Sequence, residues 1–582
     1  MLLISGLAIV IGVVAAYVAL ALLKLIGLFT NLFFFQRVDT ALISPVGHHL
    51  GPFVIVVPVV GALIIGVMAR YGSERIRGHG IPEAIEAILI NGSRVEPKVA
   101  LLKPLSAAIS IGSGGPFGAE GPIIMTGGAF GSLVAQFFHL TSAERKTLLV
   151  SGAAAGMAAT FAAPVASVML AVELLLFELK PRSVIPVALA SVTAAALRRH
   201  LLGLGPLFPV PAHPLVIGAA GLAGCVLAGL LAGGLAILLT GAVYASEDAF
   251  AHLPIHWMWW PALGGLAIGI GGYFFPQALG VGYDVIAGLL SSDMPLKIIV
   301  GVLVVKSLIW AVSLGSGTSG GVLAPLLMMG GALGALESHF LPWEGMGFWP
   351  LVSMGAILGG AMRVPLTGIV FALELTHDVN MMLPLLLAVM VAHGVTVLAL
   401  RRSILTEKVA RRGFHLTREY AVDPLEIVFA REVARRSVVA LPADATVEHV
   451  EGALRNRVGG GRNDQRLFPV VDADRRLVGA VTRGELRRWM DSARDDRSQP
   501  LGRAVERKPV VAYEDESLRM IVYRMAETGL TRLPVIARAD ERLAGMIALT
   551  DLLMARTRTL DAEQRRERVL TARLRLPAFF SR

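Results

Sequence analysis

The sequence predicts an all-α polytopic membrane protein with internally duplicated halves and broken helices, followed by a soluble α+β portion. Three observations carry this. First, 55% of the 582 residues are hydrophobic and 16% charged, at a mean hydropathy of +0.67, more than a soluble core needs. Second, glycine-rich breaks interrupt the apolar runs at corresponding places in two halves. Third, residues 1–400 carry 17 basic and 17 acidic residues, whereas residues 401–582 carry 36 and 26 and hold the whole net charge of +10. That basic portion is expected on the cytoplasmic side, where anionic lipid headgroups could attract it. Its basic and acidic residues are interleaved, so no nucleic acid partner is expected. Cys225, the single cysteine, has no intrachain disulfide partner.

In order, residues 1–35 form an apolar run with Lys24 its only charge. Without a basic leader or a cleavage site it reads as a membrane helix rather than a signal peptide. Residues 53–69 give a second span, and Glu83–Ile90 one short helix. Runs follow at 101–111, 121–138, 148–161, 165–177, 184–197, 216–244 and 257–275. The second half continues at 298–314, 322–336, 350–361, 366–375 and 381–400. Several fall short of the roughly 20 residues a straight crossing takes, so broken, tilted helices are expected.

The duplication is specific. Gly112-Ser-Gly-Gly-Pro-Phe-Gly-Ala-Glu-Gly-Pro122 is echoed by Gly315-Ser-Gly-Thr-Ser-Gly-Gly-Val-Leu-Ala-Pro325, and Pro164 with Glu173 by Pro365 with Glu374. The lags are 203 at the prolines Pro122 and Pro325 and 201 at the glutamates. Duplicated halves with Gly/Pro-broken helices mark transporter folds, in which half-helix N-termini meet near the membrane midplane. Spacing alone leaves inverted and parallel repeats open; inverted ones are the expectation. Where such a loop becomes a helix, free N–H groups and the positive dipole end attract an anion. Glu120 sits at that point, and Pro122 suits the first turn. Either the carboxylate stabilises its own helix, or it competes with a passing anion. In an apolar segment the second reading is favoured.

Gly78-His-Gly-Ile-Pro82, Gly118-Ala-Glu-Gly-Pro122 and Gly321-Val-Leu-Ala-Pro325 resemble, in order and spacing, the three anion-binding signatures of the CLC chloride channel and transporter family. The likeness continues through Phe161-Ala-Ala-Pro164 and Val364-Pro-Leu-Thr-Gly368 to Ser403–Lys408. It implies a homodimer in a lipid bilayer, with an anion pathway in each subunit and Glu120 as its gate. It also implies an anion cradle of His79, Gly80, Ile81, Pro82, Gly118, Gly121, Gly321, Val322 and Leu323. No metal, required cofactor or enzymatic activity is expected.

The chain departs from the family pattern in four places. His79 stands where the family has Ser, Leu323 where it has Phe, and Leu405 where a Tyr narrows the inner mouth. His79 and Leu405 would form that constriction here. Leu174 follows Glu173 where family exchangers carry a second, proton-accepting glutamate. A leucine holds no proton, so the expectation is passive gated conduction of chloride or a similar anion. Proton-coupled chloride exchange is the alternative, with Glu178 as a substitute acceptor. A remoter reading is an intramembrane serine protease, from Gly317-Thr-Ser-Gly320 and His393. It leaves the duplication and Glu120 unexplained. A cation pathway would need carboxylates or carbonyls facing a pore, opposite in polarity to helix N-termini.

The expected domains are 1–416 and 417–582. In the second, Leu467–Leu486 is echoed by Leu533–Leu552, with glycines Gly479 and Gly545 at a lag of 66. Each copy reads strand, turn, strand, helix, with earlier helices at 446–454 and 517–528. The pair resembles tandem CBS domains, at about 430–492 and 504–558. Such a pair often binds an adenine nucleotide, its ribose held by an Asp at the position of Asp551. Glu485 replaces that Asp in the first repeat and Ala548 a usual Thr, so a purely structural, dimerising pair is the equal alternative.

Overall fold

In a bilayer no water satisfies backbone N–H and C=O groups, so a chain this apolar must form helices that bond internally. The computed structural model describes residues 1–89, 91–214, 216–292, 294–400, 402–412, 424–455, 465–493, 497–503, 505 and 509–557. Two compact units divide the chain near residue 421. The expected 416/417 boundary lies outside the described residues, as do residues 463–464 of a stretch the sequence reads as a polar connector, 463–466, and the charged tail after Leu560 that it reads as a helix.

Among its described residues the first unit is built of helices and has no strand beyond isolated bridges. Its first half contains α1 (Leu2–Phe35), α2 (Val56–Tyr71), α3 (Ile81–Leu89), α4 (Pro97–Gly112), α5 (Glu120–Gln136), α6 (Ser142–Phe161), α7 (Pro164–Leu170) and α8 (Pro181–Leu201). The second contains α9 (Ala219–Ala251), α10 (Trp260–Phe274), α11 (Tyr283–Leu290), α12 (Leu296–Gly301), α13 (Ser307–Gly315), α14 (Leu323–Glu337), α15 (Phe348–Met362), α16 (Pro365–Thr376), α17 (Met382–Ala399) and α18 (Ile404–Arg411). Among the described residues, six stretches are long and apolar enough to cross a membrane, including Leu2–Phe35 and Ala219–Ala251. The short helices α5 and α14 are buried along most of their length, packed on α6 and α15.

Three details were not expected from sequence. Tyr283–Leu290 is an eight-residue helix, too short to stand out as a run. Residues 171–176 and 302–306 are π-helical turns, the local widening often found where a helix serves a site. The helix begun at Ala219 continues past Tyr244 to Ala251 through Ser246, Glu247 and Asp248.

The repeats are inverted, and one contact pair establishes it. Glu173, at the C-terminal end of the α7 segment, accepts from the N–H groups of Leu366 (3.1 Å) and Thr367 (2.8 Å) at the start of α16. Glu374, at the end of α16, accepts from Val165 (2.9 Å) and Ala166 (2.7 Å) at the start of α7. Equivalent helices that cap each other's N-termini run antiparallel, so the halves are related by a two-fold across the helix axes. Two buried lysines obey the same symmetry. Lys103 Nζ donates to the carbonyls of Ile76 (2.8 Å) and Gly78 (2.7 Å), and Lys306 Nζ to those of Ala278 (2.9 Å) and Gly280 (2.7 Å).

Among its described residues the second unit holds two three-stranded sheets of one design: β1 (Leu441–Pro442), β2 (Leu467–Val471), β3 (Leu477–Thr482), then β4 (Ala512–Tyr513), β5 (Arg532–Ile536), β6 (Leu543–Ala548). In each the first strand pairs parallel with the second, which pairs antiparallel with the third. The register slips at Val470/Val471 and again at Val535/Ile536, the equivalent positions. Helices Val447–Arg455 and Leu518–Thr528 fall where the sequence places them. Residues 483–492 are capped by Thr482 and Glu485: Glu485 N–H donates to Thr482 Oγ1 (3.3 Å), and Thr482 N–H to Glu485 Oε2 (2.7 Å). The Thr482 backbone and hydroxyl donors hold the Glu485 carboxyl below its ordinary pKa.

Two outcomes are expected. Lys103→Met leaves two buried carbonyls without a donor, a cost of about 2–4 kcal/mol, read as a drop of several degrees in the melting temperature of the detergent-solubilised protein. Thr482→Ala removes a cap worth about 1 kcal/mol, so amide exchange over 483–492 in the full-length protein accelerates roughly fivefold at neutral pH. Because the Glu485 pKa is depressed on folding, its contribution is present above the usual carboxylate range and fades on acidification. The difference from the parent should shrink accordingly.

Candidate functional site

Three helix N-termini meet at the pseudo-two-fold. Gly118, just before α5, and its repeat equivalent Gly321, just before α14, exchange two hydrogen bonds: Gly118 N–H to Gly321 O (3.1 Å) and Gly321 N–H to Gly118 O (2.8 Å). The loop before α3 joins them, since Gly320 N–H reaches Gly78 O (3.4 Å). Approach is so close that glycine is required on steric grounds. A Cβ on Gly121 would collide with the His79 carbonyl, and one on Gly80 would stand 2.5 Å from Gly121 O. Gly78 and Gly80 also have φ of +82° and +89°, open to glycine at little cost.

Glu120 is the first residue of α5 and is fully buried. Its carboxylate lies over Gly118 and Gly321, where any added Cβ would run into it. It lies near the amides of Glu120 itself and Ala324, and neither oxygen makes a hydrogen bond of full geometry. An unpartnered buried carboxylate facing two helix N-termini is rare in a native structure and calls for a functional explanation.

The structure brings most of the residues singled out from sequence to this place. Ile81 and Pro82 open α3, Val322 precedes α14 and Leu323 begins it, all buried. His79 is buried, its Nδ1 without a partner. The Gly80 amide donates to Glu83 Oε2 (2.9 Å), while Glu83 Oε1 pairs with Lys408 Nζ (2.7 Å). Leu405 is buried in the first turn of α18, a helix fixed by Tyr244 Oη donating to Ile404 O (2.5 Å).

Leu174 is buried beside Glu173, whose carboxylate is engaged at α16. Glu178 accepts from Ser183 Oγ (2.7 Å) and lies 3.7 Å from both Lys146 and Lys180. Ser319 Oγ lies 3.1 Å from Ser106 Oγ and 3.2 Å from Lys103 Nζ, so its neighbours are a serine and a lysine. In the second unit, Asp551 accepts from Arg435 (2.6 and 2.9 Å) and from the Ala548 amide (2.9 Å). A separate cleft of about 600 Å³ is lined by Arg466, Arg483, Arg487 and Arg532, with Thr482 and Thr531.

Sequence reasoning missed the lysine pair and the loop Gly280-Val-Gly-Tyr-Asp284. That loop is the repeat equivalent of Gly78–Pro82, with φ of +65° at Gly280 and +80° at Gly282. The lag of 203 already separates Lys103 from Lys306, and that signal could have found them.

Residues 60–397 match the family profile described as voltage gated chloride channel, and residues 430–492 and 502–558 each match the CBS domain. A ClcB-like chloride channel protein of Ralstonia nicotianae is 32% identical over 344 residues, 57% of this chain and 80% of that protein. The H(+)/Cl(-) exchange transporter ClcA of Yersinia pestis is 28% identical over 360 residues, 57% of this chain and 71% of that protein. Among solved structures, a slow cyanobacterial Cl-/H+ antiporter superposes with a TM-score of 0.63 at 23% identity, over 70% of this chain and 97% of its own, a likeness of fold. With its inverted halves, its three facing helix N-termini and its two C-terminal repeats, the chain belongs to the voltage gated chloride channel (CLC) family and carries a CBS domain pair.

Proposed function

We propose that this member of an anion-transport family conducts chloride or a similar small anion passively, with Glu120 as the gate. The observation that carries the reading is the unpartnered Glu120 carboxylate over Gly118 and Gly321, where the N-termini of α5 and α14 face each other. Their N–H dipoles favour a negative charge there, and one carboxylate or one anion can take the place. Protonation cancels the carboxylate's charge and its claim on the site. His79 and Leu405 would line the inner constriction.

Passive conduction is supported by the lack of a free carboxylate at the inner relay. Leu174 carries none, Glu173 caps α16, and Glu178 is held by Ser183 among two lysines. The relatives named as exchange transporters favour a second reading, proton-coupled exchange. Reconstitution in liposomes under a chloride gradient separates the two: luminal pH stays unmoved for a passive pathway, and uphill proton movement establishes exchange. For the gate, flux of the parent should rise as pH falls. Glu120→Gln should raise neutral-pH flux on the order of tenfold and flatten the profile, since the amide holds no charge at any pH. A variant as pH-dependent as the parent overturns the role of Glu120.

The subunit is proposed to work as a homodimer with its CBS pair in the cytoplasm. With Asp551 already bonded to Arg435, the arginine-lined cleft at Thr482–Arg487 is the better candidate for an adenine nucleotide, whose phosphates suit guanidinium groups. Isothermal titration of the full-length protein with ATP should give saturable binding that weakens at least tenfold in Arg532→Ala. No heat at millimolar ATP favours the purely structural pair.

A further inference from the structure

The geometry points to Tyr283 as the positioning residue of the gate: its hydroxyl is the group that hydrogen-bonds the Glu120 carboxyl once that carboxyl leaves its seat over Gly118 and Gly321. This rests on the reading of Glu120 as the gate.

Tyr283 opens α11, and its residue is only partly shielded, yet the hydroxyl oxygen is shut off from solvent with no hydrogen-bond partner. The polar end of the side chain therefore points into the protein. A buried hydroxyl without a partner is as uncommon as a buried carboxylate without one, and here the two lie within electrostatic range of each other. The ring is held on two sides, edge-on to Phe161 (6.4 Å) and to Phe208 (6.0 Å), whose own backbone is tied to Leu375 O (2.9 Å). Such a clamp fixes where the hydroxyl sits.

The loop is anchored to the segment that carries the gate, since Gly280 N–H donates to Gly114 O (3.1 Å). The pseudo-two-fold maps the His79 loop onto this one, across the Gly118–Gly321 bridge. Tyr283 thus takes on its side the place of Ile81 on the other. Other charges act here too. Lys306 faces Glu120, Asp284 faces Lys306, and Arg198, bonded to Gly203 O (3.1 Å), faces Tyr283. Lys306 is already committed to two carbonyls, whereas the phenol on this side of the bridge is uncommitted, as His79 Nδ1 is on the other side.

The sign follows from either protonation state of the carboxyl. Protonated, it donates to or accepts from the phenol; ionised, it accepts. In both cases the hydroxyl favours the displaced gate, so its loss should disfavour it.

The test is Tyr283→Phe in the full-length protein, which removes one oxygen and keeps the ring; its melting temperature should stay within about 2 °C of the parent. In liposome flux assays from about pH 4 to about pH 8, the half-activation pH should move to acid by roughly half a unit to one unit, a three- to tenfold loss of flux at the parent midpoint. In a Glu120→Ala background, where no carboxyl remains to be held, the same substitution should change flux less than about twofold. An unshifted midpoint, or an equal loss in both backgrounds, overturns the proposal and leaves Tyr283 a packing residue. A Glu120→Ala protein that keeps the parent's pH dependence instead overturns the gate itself, whatever Tyr283 does.

Discussion

The exchange of two backbone hydrogen bonds between Gly118 and Gly321 is the contact on which the membrane unit depends. Non-helical backbone at membrane depth is tolerable only when buried in protein, and neither broken loop can satisfy itself. Each satisfies the other. Net, two such bonds contribute about 1–3 kcal/mol, so their importance is register more than energy. They bring the starts of α5 and α14 within two residues of the bridge, and absence of a Cβ on either side leaves room for a carboxylate there. The glycines are thus as much part of the site as Glu120.

Burying Lys103 and Lys306 without a direct carboxylate contact is costly unless their protons find acceptors. Each finds two carbonyls on a loop whose backbone has turned away from helix. The ammonium group and the irregular loop solve each other's problem, once in each half. Near Lys103 the arrangement is extended by Ser319 and Ser106, and by the Glu83–Lys408 pair that joins α3 to α18. Ser319, whose Gly-x-Ser-Gly string looks nucleophilic in sequence, serves in the fold as a partner to a lysine.

Much of this was legible beforehand, because glycine and proline act locally. A break between apolar runs has one physical meaning in a bilayer, and the breaks at Gly112–Pro122 and Gly315–Pro325 lie where the structure has them. Inversion was the expectation but spacing could not establish it, being the same for parallel and inverted copies; the crossing of Glu173 and Glu374 to each other's helices distinguishes them. The helix at Tyr283–Leu290 hid because eight residues opened by Tyr283 and Asp284 make too short an apolar run to stand out; contacts with α14 and α15 hold it in place. Tyr283 hid for the same reason as Lys306. A polar group in an apolar string announces a site without saying which other group it serves, and that partner lies far off in sequence.

Glu173 and Leu174 show how such a scaffold separates folding from transport. Successive residues of a helical turn, here a π turn, point in different directions around its axis, so one side chain can face the partner repeat while the next faces elsewhere. Glu173 bonds two amides and the hydroxyl of Thr367 at the start of α16; losing it would uncap a helix end inside the repeat interface. Leu174 bonds nothing and packs as an ordinary buried side chain. Structural constraint therefore falls on the first position and is light on the second. A leucine at 174 holds no proton, and the hydrogen bonds that Glu173 makes across the repeat interface do not depend on it.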